Sequence, residues 1–303
     1  MNTSMPSPAG RRSGLRRSAA GCAAVCAFLL LALGSAARAE IQTGDNPEAS
    51  PIWQKVRASL FQSRPIAVAT DEVVSLDVPV RAEDAAIVPI SIKTRLVQAA
   101  PRHIDKLYLI IDNNPSPISA IFQFTPLSGR ADIETRVRID EYTHVRVIAE
   151  TSDGQLHMTT RFVKAAGGCS APSGKDAQAA LATLGRMKFR IEDEAPGRAP
   201  GQQPGKPAGG QPVLAQLMIS HPNSSGLAMD QVSRLFTPPH FVRQVRITYG
   251  GQLVMSADVD FSISENPNFR FYFLPRGDAE LKAEVVDSND LHFESSLKYR
   301  RPE

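Results

Sequence analysis

Cysteine is nearly absent from this chain, at three in 303 residues, and two of the three, Cys22 and Cys26, sit inside an apolar stretch near its start. A disulfide framework is therefore not expected as a source of stability, and if the segment bearing Cys22 and Cys26 is removed, Cys169 is left without a partner in its own chain and open to a disulfide with another. Aromatic residues are sparse at 6%, with one Trp. Beyond residue 39 no apolar run approaches the ~20 residues that a membrane-spanning helix needs. The histidines, His103, His144, His157, His221, His240 and His292, form no HExxH, HxH or Cys/His pair at ligand spacing, so no metal site is expected. His157 and His292 fall on predicted strands, where a solvated or hydrogen-bonded imidazole is the plain expectation. No Walker loop, dinucleotide-binding glycine fingerprint or GxSxG elbow occurs, and the paired carboxylates Glu83-Asp84 lie in a predicted loop. No cofactor is expected, and no residue set nominates an enzyme.

What is present begins with an export signal. Arg11, Arg12, Arg16 and Arg17 precede an apolar run from Ala19 to Leu33, and Ala37-Arg38-Ala39 supplies the small residues of a cleavage site. The expectation is a leader over 1–39, a mature chain from Glu40 and a periplasmic product, by the general or the twin-arginine route. The whole chain carries a formal charge of +3. Loss of the leader's five Arg leaves 29 basic against 31 acidic side chains, a net charge of −2, and removes the case for nucleic-acid binding.

The periodicity then changes along the chain. Ser50-Pro51 followed by Ile52, Trp53, Val56 and Leu60 predicts a capped helix. From about Val73 to Val163 the apolar period is two, as in Val88-Pro-Ile90-Ser-Ile92, Ile133-Glu-Thr135-Arg-Val137 and Leu156-His-Met158. Apolar stretches at Leu107–Ile111, Ile118–Phe124 and Val145–Ala149 lie between them, joined by turns such as Asn113-Asn114-Pro115 and Ser152-Asp153-Gly154. About seven short strands at this spacing predict an immunoglobulin-like sandwich. Ser173 to Asp176 resembles a capping box, which predicts a short helix ending near Gly185. Residues 196–212 are a Pro/Gly linker. Period two returns from Val213, most plainly in Phe269-Arg-Phe271-Tyr-Phe273 and Leu281-Lys-Ala283-Glu-Val285, with Gly250-Gly251 as a hairpin turn and the phenylalanines, like Phe122 and Phe124, as core.

The expected fold is thus all-β: two immunoglobulin-like sandwiches, over 40–169 and 213–303, joined across 170–212 by a short helix and the linker. Cys169 stands out in this frame. Gly167 and Gly168 give the backbone before it freedom at no Cβ cost, and the polar segment behind it predicts an accessible sulfur on a mobile arm.

Several separated motifs resemble a known system in its own order. Val78 to Ile90, Asp112-Asn-Asn-Pro-Ser-Pro117 and Gly167-Gly168-Cys169 resemble SoxY. His221-Pro222, Gly226-Leu227, Pro239-His240-Phe241 and Ser264-Glu-Asn-Pro267 resemble SoxZ. The resemblance implies a fused SoxYZ-type sulfur-oxidation carrier, with SoxY-like and SoxZ-like domains paired within the chain and Cys169 as the covalent attachment point on a flexible arm of Gly167 and Gly168. The SoxY arm normally ends its chain with Gly-Gly-Cys-Gly-Gly, whereas Ser170-Ala171-Pro172 and more than a hundred residues follow here. That fused form resembles the carriers associated with quinoprotein alcohol dehydrogenases, so the implied partners are periplasmic oxidoreductases, either Sox-type enzymes or a quinoprotein dehydrogenase. Two other readings stand beside the carrier: a non-catalytic accessory module of a quinoprotein system, and a thiol enzyme, which requires a histidine within reach of Cys169.

Overall fold

The computed structural model describes residues 46–172, 181–192, 210–230 and 233–300. The expected leader, most of the expected helix before Gly185 and most of the linker lie outside these residues. The α-helix α1 (Pro51–Phe61), two short 3-10 helices (Pro47–Ala49 and Pro126–Ser128) and fifteen strands are found among them. The first half contributes β1 (Ile66–Val68), β2 (Val74–Asp77), β3 (Val88–Thr94), β4 (Ile104–Ile111), β5 (Ile118–Phe124), β6 (Ile133–Val137), β7 (Thr143–Thr151) and β8 (Leu156–Val163). The second contributes β9 (Met187–Glu192), β10 (Val213–Ile219), β11 (Val242–Tyr249), β12 (Gln252–Val259), β13 (Asn268–Phe273), β14 (Ala279–Asp287) and β15 (His292–Tyr299).

The predicted strands form because their side chains alternate as a half-buried sheet requires: Val88, Ile90 and Ile92 point inward from β3 while Pro89 and Lys93 face outward. Helix α1 starts as its sequence predicts, with Ser50 Oγ accepting from the Trp53 amide at 3.2 Å and Pro51 at the first position. Its Trp53, Val56 and Phe61 cover Tyr108, Ile110, Ile148 and Leu156, which is why β4 is buried on both faces along most of its length. The β11–β12 turn is Gly250-Gly251, both at positive φ (56° and 77°), the geometry a two-residue hairpin needs.

The all-β fold of two paired sandwiches expected from the sequence is what forms, and its sheets run on through both halves. One sheet has nine strands in the order β1-β8-β7-β4-β5-β12-β11-β14-β15, and the other has six in the order β2-β3-β6-β13-β10-β9. The joints are antiparallel: β5 pairs with β12 from Phe124↔Met255 to Ala120↔Val259, and β6 meets β13 at Glu134↔Arg270 and Ile133↔Phe271. A continuous apolar core lies between the sheets across both halves. Phe122 of the first half packs edge-on against Phe269 of the second, with centroids 6.3 Å apart, and Phe271 and Phe273 are wholly buried in the same layer.

Strand β9 was not foreseen. Its six residues fall in the stretch expected to hold a helix and a linker, and they pair along β10 from Ile219↔Met187 to Leu214↔Glu192. The segment is a short edge strand with Lys188, Arg190 and Glu192 on it, and its pairing partner lies beyond the linker, so local pattern alone did not mark it. Arg270 of β13 ties the joint from outside by pairing with Glu134 of β6 and with Glu192 of β9.

A shared core predicts one cooperative unfolding transition for both halves. Phe122→Ala opens a cavity at the joint and should cost about 3–5 kcal/mol, and urea melts followed by Trp53 fluorescence in the first half and by far-UV circular dichroism should shift together. Two separated transitions would show that the halves fold independently.

Candidate functional site

The site assembles at one end of the joint, where motifs far apart in sequence meet. In the turn after β4, Asp112 is buried and bound through both carboxylate oxygens to Arg146, with Nε donating at 2.8 Å and a terminal nitrogen at 2.7 Å. Arg146 is itself 0% exposed and lies over the Trp53 ring at 4.6 Å, so α1 backs this turn. Two residues on, Asn114 uses its whole amide. Its Nδ2 donates to the Arg138 carbonyl at 2.8 Å and to Ser262 Oγ at 3.1 Å, and its Oδ1 accepts from the Asp140 amide at 3.0 Å. The Asn-Pro motif of the first half therefore grips both the chain after β6 and a loop of the second half.

Residues 138–140 are the bed on which the cysteine arm lies. The Gly167 amide donates to the Asp140 carbonyl at 2.7 Å, and the Gly168 amide to the Ile139 carbonyl at 2.9 Å. The Cys169 amide reaches Asp140 Oδ1 at 3.3 Å. From the second half, Ser225 Oγ donates to the Cys169 carbonyl at 2.5 Å. Gly168 is required for this close approach, since a Cβ there would stand 2.1 Å from the Ala85 carbonyl oxygen and 2.6 Å from that of Ile139. Gly167 sits at φ +80°, where L side chains are strained.

The accessible, mobile sulfur expected from the sequence is not what this arrangement holds. Cys169 is 0% exposed. Burial first, then the Asp140 carboxylate, with Arg138 opposing and Asp260 adding, pushes its thiol up to about 12. The docked sulfur is a neutral thiol shielded from reagents. The glycines that were expected to make the segment flexible instead let it pack between the halves. The charged groups acting on the thiol are Asp140, Arg138 and Asp260.

The second half supplies the other wall through the loop that begins at His221. Asn266, at φ 48°, closes this loop reciprocally: its amide donates to the His221 carbonyl at 2.8 Å, and its Oδ1 accepts from the His221 amide at 3.2 Å. The fully buried Asn223 donates through Nδ2 to the Ile263 carbonyl at 2.8 Å, accepts from the Val242 amide at 2.9 Å, and offers its own carbonyl to Arg138 at 3.2 Å. Arg138 is 1% exposed, and its backbone amide donates to the Ser262 carbonyl at 2.7 Å.

Behind the loop lie His221, His240 and Asp287, whose ligand-type atoms fall within 4.8 Å of one another. The sequence spacing did not foreshadow this group, because its members are brought together from a loop, the approach to β11 and the end of β14. Its hydrogen bonds identify it as a clamp. The Asn223 amide donates to His221 Nδ1 at 3.0 Å, so the neutral ring carries its proton on Nε2, which faces Asp287 Oδ2 at 3.5 Å. A metal ion on Nε2 would force that proton onto Nδ1, against the Asn223 amide. His240 Nε2 lies 2.7 Å from the same carboxylate oxygen, whose partner Oδ1 accepts from the amides of Asn289 and Leu291 at 2.8 and 2.9 Å. Of the two strand histidines, His292 is exposed and His157 Nε2 lies 3.0 Å from Arg102.

Arg138, Asp140, Asn223, Ser225 and Asp287 were not singled out in the sequence, whereas Asn114 belongs to the Asn-Pro motif that was. Asn223 directly follows His221-Pro222, and the others carried no signal of their own in the sequence.

Two outcomes follow. Gly168→Ala should undock the arm and speed labelling of Cys169 by a disulfide reagent at pH 8 at least tenfold, with the urea midpoint measured as a control; an unchanged rate would show that the glycine contact does not hold it. Burial, then the facing His240, lowers the proton affinity of His221 from its ordinary 6.5 to about 4, against the pull of Asp287. The unfolded chain therefore takes up a proton that the folded chain refuses. Stability should hold above pH 6.5 and fall as pH drops toward 4, by roughly 3 kcal/mol at most, and His221→Gln should flatten that slope in urea titrations.

Family models match most of the described chain in two pieces: "Sulfur oxidation protein SoxY" over residues 57–169 and "Sulphur oxidation protein SoxZ" over residues 202–298. No curated protein matches. Among solved structures, the sulfur carrier protein SoxY from Chlorobium limicola f thiosulfatophilum is 24% identical over 38% of this chain and 91% of that one, with a TM-score of 0.32. The fibronectin(III)-like modules of CbhA from Clostridium thermocellum are 13% identical over 76% of this chain and 94% of that one, with a TM-score of 0.22. The SoxY match ends on Cys169, and the SoxZ match contains the His221 loop and the Asn266 turn that wall it in. The chain belongs to the SoxY and SoxZ sulfur-oxidation families, with a SoxY-like domain followed by a SoxZ-like domain in one polypeptide.

Proposed function

We propose that this protein is an exported, periplasmic sulfur carrier that holds its cargo covalently on Cys169 and presents it to partner oxidoreductases without itself catalysing a reaction. One observation carries the reading. The family match to SoxY ends on Cys169, a cysteine with no second cysteine among residues 40–303, and two glycines precede it. A carrier thiol needs two properties that a structural cysteine does not. It must stay out of adventitious disulfides while empty, and it must be able to leave its resting place on a segment with few side chains. The buried, neutral thiol meets the first, and Gly167-Gly168 meets the second. Tethering then keeps a reactive sulfur intermediate at high effective concentration for each partner in turn.

In this reading the expected leader over 1–39 places the protein in the periplasm, where Sox-type enzymes or a quinoprotein alcohol dehydrogenase system would be the partners. The fusion of the two domains, with the arm inside the chain, favours the quinoprotein-associated type. A second reading is favoured by the burial of the thiol: a binding or accessory module whose sandwich faces do the work and whose cysteine stays docked.

Intact mass of the protein from its native cells, before and after reductant, separates the two. A carrier should show a reductant-labile mass increment that maps to Cys169 and vanishes in Cys169→Ser, together with loss of pathway output. An unmodified thiol in cells with the pathway running, and full output from Cys169→Ser, would establish the accessory module instead.

A further inference from the structure

The arm's resting place accepts a neutral sulfur and opposes a charged one. Cys169 lies wholly out of water, and three of the four hydrogen bonds that hold the arm come from residues 167–169 onto Ile139 and Asp140, with the fourth from Ser225. The charged groups that act on the sulfur come from both halves. Asp140 lies beneath the arm, with Oδ1 turned to the Cys169 amide. Asp260 stands on the loop after β12, its carboxylate bound to Ser116 Oγ at 3.1 Å and to the Ser262 amide at 3.2 Å. Arg138 supplies positive charge, but it also acts on Glu265 and Asp84 and is anchored to the Asn223 carbonyl. An anion at this position therefore loses its hydration and meets two carboxylates against one shared guanidinium.

We propose that the Gly167–Cys169 arm is a charge-gated latch, docked between the halves while its sulfur is neutral and expelled when the sulfur carries negative charge. This deepens the carrier reading and rests on it for the source of the charge. A free thiol is neutral there, whereas a sulfur atom added to a thiol gives a stronger acid, and an oxidised sulfonate on sulfur is a permanent anion. The empty carrier would hide its thiol, and the loaded carrier would offer its cargo. The hydrogen bonds that hold the arm are few, two of the four running from a peptide N–H to a peptide carbonyl, so solvent can replace them once the arm leaves.

The test uses charge without cargo. Cys169→Asp and Cys169→Asn place an anion and its neutral near-isostere at the same position, and hydrogen–deuterium exchange of the Gly167, Gly168 and Cys169-position amides at pH 7 reads docking. Exchange in the Asp variant at least tenfold faster than in the Asn variant, with the difference reduced by Asp140→Asn, is the expected result. Equal exchange in the two variants overturns the proposal, whether both arms stay docked or both are out. If the Asp variant does not fold, the same contrast is made on folded wild-type protein alkylated to completion at Cys169 with iodoacetate (anionic adduct) or iodoacetamide (neutral adduct), and equal exchange again overturns it. The readout involves no sulfur cargo, so failure here leaves the native-mass experiment to judge the carrier reading separately.

Discussion

The pairing of β5 with β12 and of β6 with β13 is the constraint on which the rest of the structure depends. A sheet edge presents unpaired amide and carbonyl groups that must find partners or be shielded. Each half of this chain has two edges at the joint, and each satisfies the other's, so among the described residues the nine-stranded and six-stranded sheets end in β1, β15, β2 and β9. The short β1 and the charged β9 are the kinds of strand that tolerate an edge. Once the backbones are paired, the inward faces of both halves line one slot, and Phe122, Phe269 and Phe271 fill it as a single core.

The site inherits its position from that joint. Register across β6 and β13 brings residues 136–140 alongside 262–264, where Arg138 and Ser264 exchange backbone hydrogen bonds with Ser262 and Arg136. That register sets Asp140 beneath the arm and the His221 loop above it. The cysteine is thus buried by neither half alone: the first half supplies its bed and the second its lid, through Ser225 and Asn223. Reactivity of the thiol is consequently a property of the interface, and anything that loosens the fit of the two halves also changes access to the sulfur.

Much of the fold was legible. Period-two patterns marked β3, β6, β13 and β14 because each buries one face, and Ser50-Pro51 marked α1 because a cap is a local device. Strand β9 was missed because its six residues become a strand only by pairing with β10, which lies across the linker. The site was partly legible: Cys169 and its glycines drew attention by composition, and the Asn-Pro turns and the two histidine motifs by resemblance. Asp140, Ser225 and Asp287 carried no local signal, since an Asp or Ser in a loop is ordinary until another segment is laid against it.

By itself the sequence determined the all-β class, the alternation that says which face of each strand is apolar, and the position of Cys169 behind two small residues. Those are consequences of side-chain chemistry and spacing along the chain. Only the tertiary structure decided that the two sandwiches merge into continuous sheets and that Gly167-Gly168-Cys169 is tucked between them with its thiol neutral. Edge pairing, burial and the field of Asp140, Arg138 and Asp260 at one sulfur arise from groups far apart along the chain, as Arg138 is from Asp260 and Ala120 from Val259, and their sum exists only where the fold brings them together.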